Sequence, residues 1–271
     1  MRKFVRITAF LLIFIMIFLV SCENKKKTPL IDDTDALAAM ATAEDTTDTN
    51  APETEPVPSK RVAITFDDGP HNVYTKRIVD ELSKYGFHAT FFVIGNRVDG
   101  GEYNGSSGLR YAYENGNEIA IHGYTHRVYY NKCSDEVYND EIKNTEKAIK
   151  NVLKDVEVRL MRPVGGYITE ERIQQSEYSV VLWSVDSEDW KHKYSSSDSE
   201  ETARQKVDTI VNNVMSTVND GSIILLHDIY QSTSDAVVII LERLAAEGYE
   251  VVSVSELLGD KLTAGKKYSL G

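Results

Sequence analysis

Two adjacent acidic side chains follow a short apolar run of the sequence. The run is 62–66, and Asp67 and Asp68 come directly after it, followed by Gly69 and Pro70. Asp, Gly and Pro are ordinary turn residues, but adjacent carboxylates repel each other unless a cation or an arginine compensates their charge. We therefore expect one carboxylate to bind a metal and the other to take a proton from metal-bound water. The spacing does not show which acid does which.

A pair of imidazoles supplies further candidate ligands. His122 and His126 stand four residues apart, and in a helical turn such side chains point the same way, so that both can reach one ion. Two histidines and one carboxylate, with a position left for water, describe a catalytic site of the zinc type. An isolated pair at this spacing is often a surface coincidence, but here the acid pair offers the third ligand.

The elements that must position these residues alternate regularly from Lys60 onward. Short apolar runs predict seven strands, at 62–66, 89–94, 118–121, 156–160, 179–185, 222–226 and 249–252. Longer amphipathic segments predict helices at 73–85, 108–115, 135–153, 200–218 and 235–247. Strands alternating with helices indicate a parallel sheet with right-handed crossovers. About seven units in roughly 200 residues favour an incomplete α/β barrel over an open sheet.

Local signals also mark helix ends. Ser197 and Glu200 have the spacing of a capping box before the fourth predicted helix. Gly86 and Gly248 each follow a predicted helix, where a left-handed C-terminal residue is expected.

In a barrel the active site lies at the carboxyl ends of the strands. The chemically active side chains follow five predicted strands, and they are Asp67, Asp68, His122, His126, Arg162, Asp186, Asp189, His227 and Asp228. Solvation alone does not account for such a concentration at strand ends. The sequence therefore predicts one site built from five loops.

Five ordered motifs give a more specific indication. They are Thr65-Phe66-Asp67-Asp68-Gly69-Pro70, His122-x-x-x-His126, Arg162-Pro163-Val164-Gly165-Gly166, Asp186-Ser-Glu-Asp189-Trp190 and Leu226-His227-Asp228. This order resembles the polysaccharide deacetylases, the NodB-homology family, also called carbohydrate esterase family 4. The resemblance covers roughly residues 60–256. It implies a distorted, incomplete (β/α) barrel of about seven parallel strands, in agreement with the alternation above.

The resemblance also implies roles for individual residues. Asp68, His122 and His126 would bind a divalent metal, usually Zn²⁺, with Co²⁺, Mn²⁺ or Ni²⁺ as alternatives. The catalytic set would comprise Asp67 as general base, Arg162 holding it, His227 as general acid and Asp189 orienting that imidazole. The substrate side would comprise the N–H of Gly165 near the oxyanion, and Trp190 and Leu226 around the acetyl methyl. We add Tyr124 as a sugar contact because it lies between the metal histidines.

Three positions depart from the family pattern. Gly123 stands where Ser or Thr is frequent, which removes a hydroxyl that supports the backbone between the histidines. Val164 replaces a frequent proline, and Gly165 stands where an aromatic residue is common. We expect the backbone contact of Gly165 to survive and the sugar-binding wall to change.

The reaction that these residues imply is metal-dependent removal of N-acetyl groups from a polymer of GlcNAc or MurNAc, with peptidoglycan as the nearest substrate. One alternative is an O-acetyl esterase acting on acetylated wall sugars or xylan. Another is a glycan-binding lipoprotein without turnover, although a pure binder needs neither base nor acid. The roles of His71 and His192 stay open, as does the oligomeric state.

The N-terminus has the pattern of an export signal. Arg2, Lys3 and Arg6 precede an apolar run at 7–20, which is shorter than the roughly 20 residues of a spanning helix. The run ends at Cys22 in a sequence that resembles the bacterial lipobox. We therefore predict a lipoprotein signal peptide at 1–21, a lipidated Cys22 with a disordered tether at 22–59, and a catalytic domain at 60–271. This places the domain at the extracellular face of the cell membrane.

Charge and cysteine content restrict the partners and the stabilising bonds. The chain has a net charge of -12, of which residues 1–21 contribute +3 and residues 23–59 contribute -6, which leaves -9 from Lys60 onward. Such an acidic domain is repelled by phosphate backbones, so nucleic acid is excluded as a partner. With Cys22 lipidated, Cys133 has no partner, and the domain is predicted to fold without disulfides.

Overall fold

Strands and helices alternate from Lys60, the first residue that the computed structural model describes; it describes residues 60–271. The strands are β1 Lys60–Asp67, β2 Thr90–Ile94, β3 Glu118–Gly123, β4 Leu160–Met161, β5 Ser179–Val181, β6 Val185–Asp186, β7 Ile223–His227, β8 Tyr249–Val252 and β9 Lys267–Tyr268. The α-helices are α1 Tyr74–Ser83, α2 Gly95–Val98, α3 Ser106–Glu114, α4 Asp135–Val152, α5 Glu170–Gln175, α6 Glu200–Met215, α7 Gln231–Ala246 and α8 Val254–Leu258. The predicted signal peptide (1–21), Cys22 and the tether (22–59) lie outside the described residues.

The strands form one curled sheet. Their order is β6-β7-β1-β2-β3-β4-β5-β9, with β8 also paired to β1, and all of these strand pairs are parallel. β5 and β6 lie near opposite ends of this order, yet only residues 182–184 separate them in the chain. Three residues allow a separation of at most about 14 Å between the strand ends. The sheet must therefore curl back on itself, which confirms the predicted incomplete barrel.

Apolar side chains fill the interior of this barrel. One buried residue from each of six strands meets two residues of α8, and the cluster consists of Ala63, Phe92, Ala120, Leu160, Val181, Ile223, Val254 and Leu258. On β1, side chains alternate between the faces of the sheet, so Thr65 and Asp67 follow Ala63 on the inner face. The interior is thus apolar at the level of Ala63 and becomes polar at the strand ends.

The outer face of the sheet is covered by helices. α1 buries Ile78, Val79 and Leu82 in the larger apolar cluster, at the spacing expected for one helix face. Phe66 of β1 and Leu226 of β7 belong to the same cluster. The strands are therefore buried on both faces, which explains their nearly continuous apolar sequences.

Two predicted strands differ from the observed ones. In 156–160, Val156 and Val158 are buried in the outer cluster but lie outside the ladder, and β4 begins only at Leu160. The apolar residues alternate in this segment as they would in a strand, but its backbone is not paired with a neighbouring strand. The predicted strand 179–185 is divided into β5 and β6, which pair with β4 and β7 respectively. Apolar content alone carries no sign of that division.

The predicted helices are present, but one predicted cap is wrong. α6 begins after Ser199, whose hydroxyl accepts from the N–H of Thr202, so Ser197 is not the capping residue. α7 begins at Gln231, four residues before its predicted start. Gly86 and Gly248 have φ of 67° and 77°, as expected for residues after helix ends. α2, α5, α8, β6 and β9 were not predicted as separate elements.

Two further features of residues 60–271 bear on the sequence-based expectations. Cys133 carries a free thiol, in agreement with folding without disulfides. None of the helices within this range combines the length and the apolarity that crossing a bilayer requires.

The cap of α6 gives a test of local stability. We expect Ser199→Ala to lower the free energy of unfolding by about 1 kcal/mol, because the N–H of Thr202 loses its acceptor. Ser197→Ala is the matched control and should change it by less than about 0.5 kcal/mol. Urea unfolding followed by circular dichroism measures both variants. A larger effect at Ser197 would contradict the assignment of the cap.

Candidate active site and metal centre

A buried ion pair lies at the carboxyl end of β1. Nη1 of Arg162 is 2.8 Å from Oδ1 of Asp67 and 2.8 Å from the hydroxyl oxygen of Thr65. Arg162 is fully buried and Asp67 is 2% exposed. Arg162 thus fixes the orientation of the Asp67 carboxylate and leaves Oδ2 directed towards the histidines, 3.6 Å from Nε2 of His122.

The remaining donors of Arg162 bind the end of β5. Nε donates to the carbonyl of Val181 at 3.0 Å, and Nη2 donates to that of Leu182 at 2.9 Å. The guanidinium also lies over the rings of Phe92 and Trp183, 4.1 and 5.6 Å from their centroids. Buried backbone carbonyls that are not paired with a neighbouring strand need other hydrogen-bond donors. At the end of β5, Arg162 is that donor for Val181 and Leu182.

Three potential metal ligands converge beside this ion pair. Oδ1 of Asp68 lies 2.9 Å from Nε2 of His126 and 3.5 Å from Nε2 of His122. One ligand atom from each residue lies within 4.8 Å of the other two. Burial raises the pKa of Asp68, but the nearby histidines outweigh it and hold that pKa below its ordinary value. Asp68 is therefore ionised, as a metal ligand must be.

Two details fit a cation at this position. Oδ1 of Asp68 is buried and faces the Nε2 atoms of His126 and His122 without a well-formed hydrogen bond, which is costly for a carboxylate unless an ion compensates it. Nδ1 of His122 is 2.8 Å from the carbonyl oxygen of Arg162, so it must carry the proton and donate. Nε2 is then the unprotonated nitrogen facing Asp68, and burial lowers the pKa of His122, which keeps the ring neutral.

The backbone around the histidines differs from the predicted helical turn. His122 lies in β3, and His126 follows in a left-handed conformation with φ of 59°. The rings nevertheless approach to 5.5 Å between centroids. The i, i+4 spacing thus identified the correct pair of histidines, but the helical turn assumed for it is wrong. A strand end followed by a tight turn brings the two rings together instead.

Glu141 of α4 holds the loop between the two histidines. Its Oε2 accepts the N–H groups of Tyr124 and Thr125 at 2.6 and 2.9 Å, and its Oε1 accepts the hydroxyl of Thr125 at 2.6 Å. The preceding Gly123 has φ of 107°, and a Cβ there would lie 2.6 Å from the hydroxyl of Tyr130. Glycine is thus required at 123, and Glu141 supplies the support that a hydroxyl at 123 does not. The sequence analysis did not identify Glu141, because no local sequence pattern distinguishes it from the other acidic residues of α4.

An imidazole on β7 faces the two carboxylates. Asp189 binds His227 twice: Oδ1 is 2.7 Å from Nδ1, and Oδ2 accepts the backbone N–H at 2.8 Å. The hydroxyl of Thr233 donates to the same Oδ2 at 2.6 Å. Burial lowers the pKa of His227, but the charge and hydrogen bond of Asp189, with the charges of Asp68 and Asp67, raise it to about 10. His227 is therefore an imidazolium at neutral pH.

Side chains beneath the Asp68 loop fix its course. The hydroxyl of Thr75 donates to the buried carboxyl of Asp228, which packs against Gly69 where any side chain would collide with it. Burial raises the pKa of Asp228 to about 7. On the other side, Arg97 of α2 donates to the backbone carbonyl of Asp68. Asp228 thus lies below the site, and Arg97 is a contact that the sequence did not indicate.

Two of the predicted substrate contacts lie elsewhere. Leu226 is fully buried in the outer apolar cluster, on the face of β7 opposite to His227. Side chains alternate along a strand, so Leu225 is the leucine on the face of His227, and the period of two would have identified it. The ring of Tyr124 packs against Gly95, and its hydroxyl donates to Asp99 at 3.2 Å. Tyr124 therefore supports α2.

The other predicted positions lie along the rim. Gly165 is in a short 3₁₀ turn with φ of 62°, three residues after Arg162. Trp190 is 48% exposed in the turn that begins at Asp189. Nδ1 of His71 accepts the N–H groups at the start of α1, which gives this histidine a structural role. His192 ends the turn of Trp190, where its backbone N–H donates to the carbonyl of Asp189.

The structure thus brings together Asp67, Asp68, His122, His126, Arg162, Asp189 and His227, and it places Gly165 and Trp190 nearby. Two carboxylates, three potential metal ligands (Asp68 among them) and the imidazole of His227 surround one position. Cys22 lies outside the described residues.

Comparison with known proteins gives one consistent result. Residues 54–180 match the family model described as polysaccharide deacetylase. A Bacillus cereus peptidoglycan-N-acetylglucosamine deacetylase is 37% identical over 207 residues, which cover 73% of this chain and 88% of that protein. The peptidoglycan-N-acetylmuramic acid deacetylase PdaC of Bacillus subtilis is 37% identical over 198 residues, 73% of this chain. The chain spans 38% of the length of PdaC.

Solved structures have the same fold. The structure of PdaC superimposes with a TM-score of 0.65 at 36% identity, covering 74% of this chain and 90% of that one. An acetyl xylan esterase from Clostridium thermocellum, solved with a cobalt ion, superimposes with a TM-score of 0.66 at 27% identity, covering 78% and 98%.

The support that Glu141 gives to the histidine loop is testable through metal affinity. We expect Glu141→Gln to weaken Zn²⁺ binding by about 10–100-fold, because two backbone N–H groups and a hydroxyl lose their charged acceptor. Titration calorimetry on the metal-free protein measures the change. Glu136→Gln, at an exposed position of the same helix, is the control and should bind normally. Unchanged Zn²⁺ affinity in Glu141→Gln would show that the loop between the two histidines keeps its conformation without the Glu141 carboxylate.

Proposed function

Since this chain belongs to the polysaccharide deacetylase family, we propose that it is a metal-dependent hydrolase that removes N-acetyl groups from peptidoglycan. The observation that carries this proposal is the arrangement of Asp67, Asp68 and His227 around one position. Asp67 is held by the buried Arg162 and His227 by the buried Asp189, while Asp68 faces His126. Hydrolysis of an amide needs a base, a group that polarises the carbonyl and an acid for the departing amine. Asp67 and His227 offer the base and the acid, and Asp68 would help to hold a metal that polarises the carbonyl.

Asp68, His122 and His126 would hold the metal, and we propose Zn²⁺ because two imidazoles and one carboxylate suit that ion. When bound, the metal would lower the pKa of a coordinated water and polarise the acetyl carbonyl. Co²⁺, Mn²⁺ and Ni²⁺ are the alternatives for the same ligands.

Asp67 would act as the general base. Arg162 occupies Oδ1 and leaves Oδ2 free on the side of the metal ligands. The buried guanidinium at 2.8 Å also fixes the orientation of the carboxylate through a charge-assisted hydrogen bond. The backbone N–H of Gly165 would stabilise the developing oxyanion, a contribution typically worth about 3–4 kcal/mol.

His227 would protonate the amine as it leaves. Its Nδ1 is engaged by Asp189, so Nε2 is the nitrogen that can deliver a proton. The raised pKa keeps the ring charged before the reaction, and a cation at Asp68 would oppose part of that rise. Leu225 and Trp190 would then border the space for the acetyl methyl.

The substrate proposal rests on the relatives and on the predicted location. Two of the matched relatives are named peptidoglycan deacetylases, one for N-acetylglucosamine and one for N-acetylmuramic acid. We propose that this chain acts on the same class of polymer. A lipid at Cys22 would hold residues 60–271 at the outer face of the cell membrane, next to the cell wall.

The first test is acetate release by the zinc-loaded protein. We expect release from peptidoglycan or tetra-N-acetylchitotetraose, loss of release with chelator, and a fall in kcat of about 10²–10⁴-fold in Asp67→Asn. Asp208→Asn, an exposed carboxylate on α6, is the control and should leave the rate unchanged.

Two other outcomes would replace the proposal. Acetate released only from acetylxylan would indicate an O-acetyl esterase, the activity named for the Clostridium thermocellum structure. Tight glycan binding without acetate from any substrate would indicate a glycan-binding protein.

The role of Asp189 predicts a change in pH dependence. Removing its charge in Asp189→Asn lowers the pKa of His227, which then loses its proton at lower pH. We expect the alkaline limb of the kcat profile to move down by about 1–3 pH units, with a lower maximum. Asp186→Asn alters an exposed carboxylate of the same loop and should leave the limb in place. An unshifted limb in Asp189→Asn would exclude His227 as the acid.

A further inference from the structure

Two exposed tyrosines form an aromatic corner on the rim of the site. Tyr129 is 49% exposed and Tyr167 is 53% exposed, and they lie in the loops that follow β3 and β4. Their rings meet edge to face, with centroids 5.2 Å apart and planes at 76°. Isolated exposed rings are common on protein surfaces, but a paired arrangement holds each ring in a defined orientation.

The backbone beneath this corner is fixed. Tyr130 and Ile168 form a parallel bridge between the two loops, which sets their neighbours Tyr129 and Tyr167 side by side. Tyr130 is fully buried, and Arg172 donates to its carbonyl oxygen. Each loop thus places one side chain inward and the next one into solvent.

The corner occupies space that a side chain at residue 165 would fill. A Cβ on Gly165 would lie 3.0 Å from two ring atoms of Tyr167 and 3.5 Å from the ring of Tyr129. Gly165 also has φ of 62°, a conformation that side chains other than glycine rarely adopt. The rings therefore approach the Gly165 backbone because no side chain stands between them.

The two loops that carry the corner also pack near the residues of the site. Gly165 is three residues from Arg162, which binds Asp67. A Cβ on Gly123, the residue after the ligand His122, would lie 2.6 Å from the hydroxyl of Tyr130 and 3.6 Å from Val164. The segments that carry the two exposed rings thus also form the wall beside the metal ligands.

We propose that Tyr129 and Tyr167 form a binding subsite for a pyranose ring of the glycan, next to the sugar whose acetyl group is at the catalytic position. This inference rests on the proposed function, since it assumes that the substrate is a chain of sugars. The apolar face of a pyranose stacks on an aromatic ring while its hydroxyls stay at the edge. Neither phenol hydroxyl has a hydrogen-bond partner within residues 60–271, so both are free for those hydroxyls.

The occupant is a neighbouring sugar because the corner is too small and too close to the centre for a separate macromolecule. Two rings offer one stacking surface, which suits one monosaccharide unit. A polymer that places one acetyl group at the catalytic position must extend across the rim, and the corner lies against the backbone of Gly165, three residues after Arg162. An aromatic wall therefore selects oligomers over single sugars without touching the reacting bond.

The test compares a tetramer with a monomer. In the zinc-loaded Asp67→Asn protein, which does not consume the ligand, we expect Tyr167→Ala and Tyr129→Ala each to weaken binding of tetra-N-acetylchitotetraose by about tenfold. Binding of N-acetylglucosamine should not change. Tyr167→Phe keeps the ring and should retain most of the affinity. Tyr113→Ala, an exposed tyrosine on α3, is the matched control. Titration calorimetry measures the affinities.

Kinetics separate this subsite from the proposed reaction. In the otherwise wild-type protein, both alanine variants should raise KM for the tetramer and leave kcat unchanged. Acetate release with wild-type KM in both variants would overturn the subsite and leave the function intact. Tetramer binding that depends on the tyrosines, without any acetate release, would support the subsite and remove the deacetylase function. Wild-type tetramer affinity in both variants would overturn the subsite in either case.

Discussion

A fully buried guanidinium connects three strands of the curled sheet at their carboxyl ends. Arg162 follows β4, binds Thr65 and Asp67 of β1, and binds the carbonyls of Val181 and Leu182 where β5 ends. Breaking a buried ion pair on one side typically costs about 3–5 kcal/mol, because the other charge stays uncompensated. The side chain that orients Asp67, the proposed base, therefore also connects β1 with the end of β5, so the packing of these strands and the geometry of the site share one residue.

Each charged group around Arg162 and Asp67 has a specific neighbour that compensates its charge or would do so. Asp67 is paired with Arg162, whereas Oδ1 of Asp68 faces the Nε2 atoms of His126 and His122, where a cation would fit. Across the site, Asp189 stabilises the charged form of His227. Burial alone would raise the pKa of Asp68 and lower that of His227, and the specific partners of these two groups reverse both shifts. The proposed base, metal ligand and acid are thus distinguished by their neighbours, although two of the three are aspartates.

Distant segments hold the loops in place. Glu141 of α4 satisfies the backbone between the histidines, and Thr233 of α7 donates to Asp189. The bridge between Tyr130 and Ile168 fixes the aromatic corner. The catalytic loops therefore have little freedom of their own, since hydrogen-bonding partners on the helices and on neighbouring loops hold them. This preorganisation is what electrostatic stabilisation of a transition state requires.

The sequence by itself determined the fold class and most of the reactive residues. The alternation of predicted strands with predicted helices indicated the parallel barrel. Acids and histidines directly after the strands indicated the site, because the carboxyl ends of the strands in such a barrel lie together. It did not determine which face a side chain takes, so Leu226 was chosen although Leu225 lies beside His227. It also gave no sign of Glu141, of the division between β5 and β6, or of the corner formed by Tyr129 and Tyr167. These features depend on contacts between segments far apart in the chain. The local sequence pattern shows which residues are apolar, whereas the register and curl of the sheet decide which side chains are in contact.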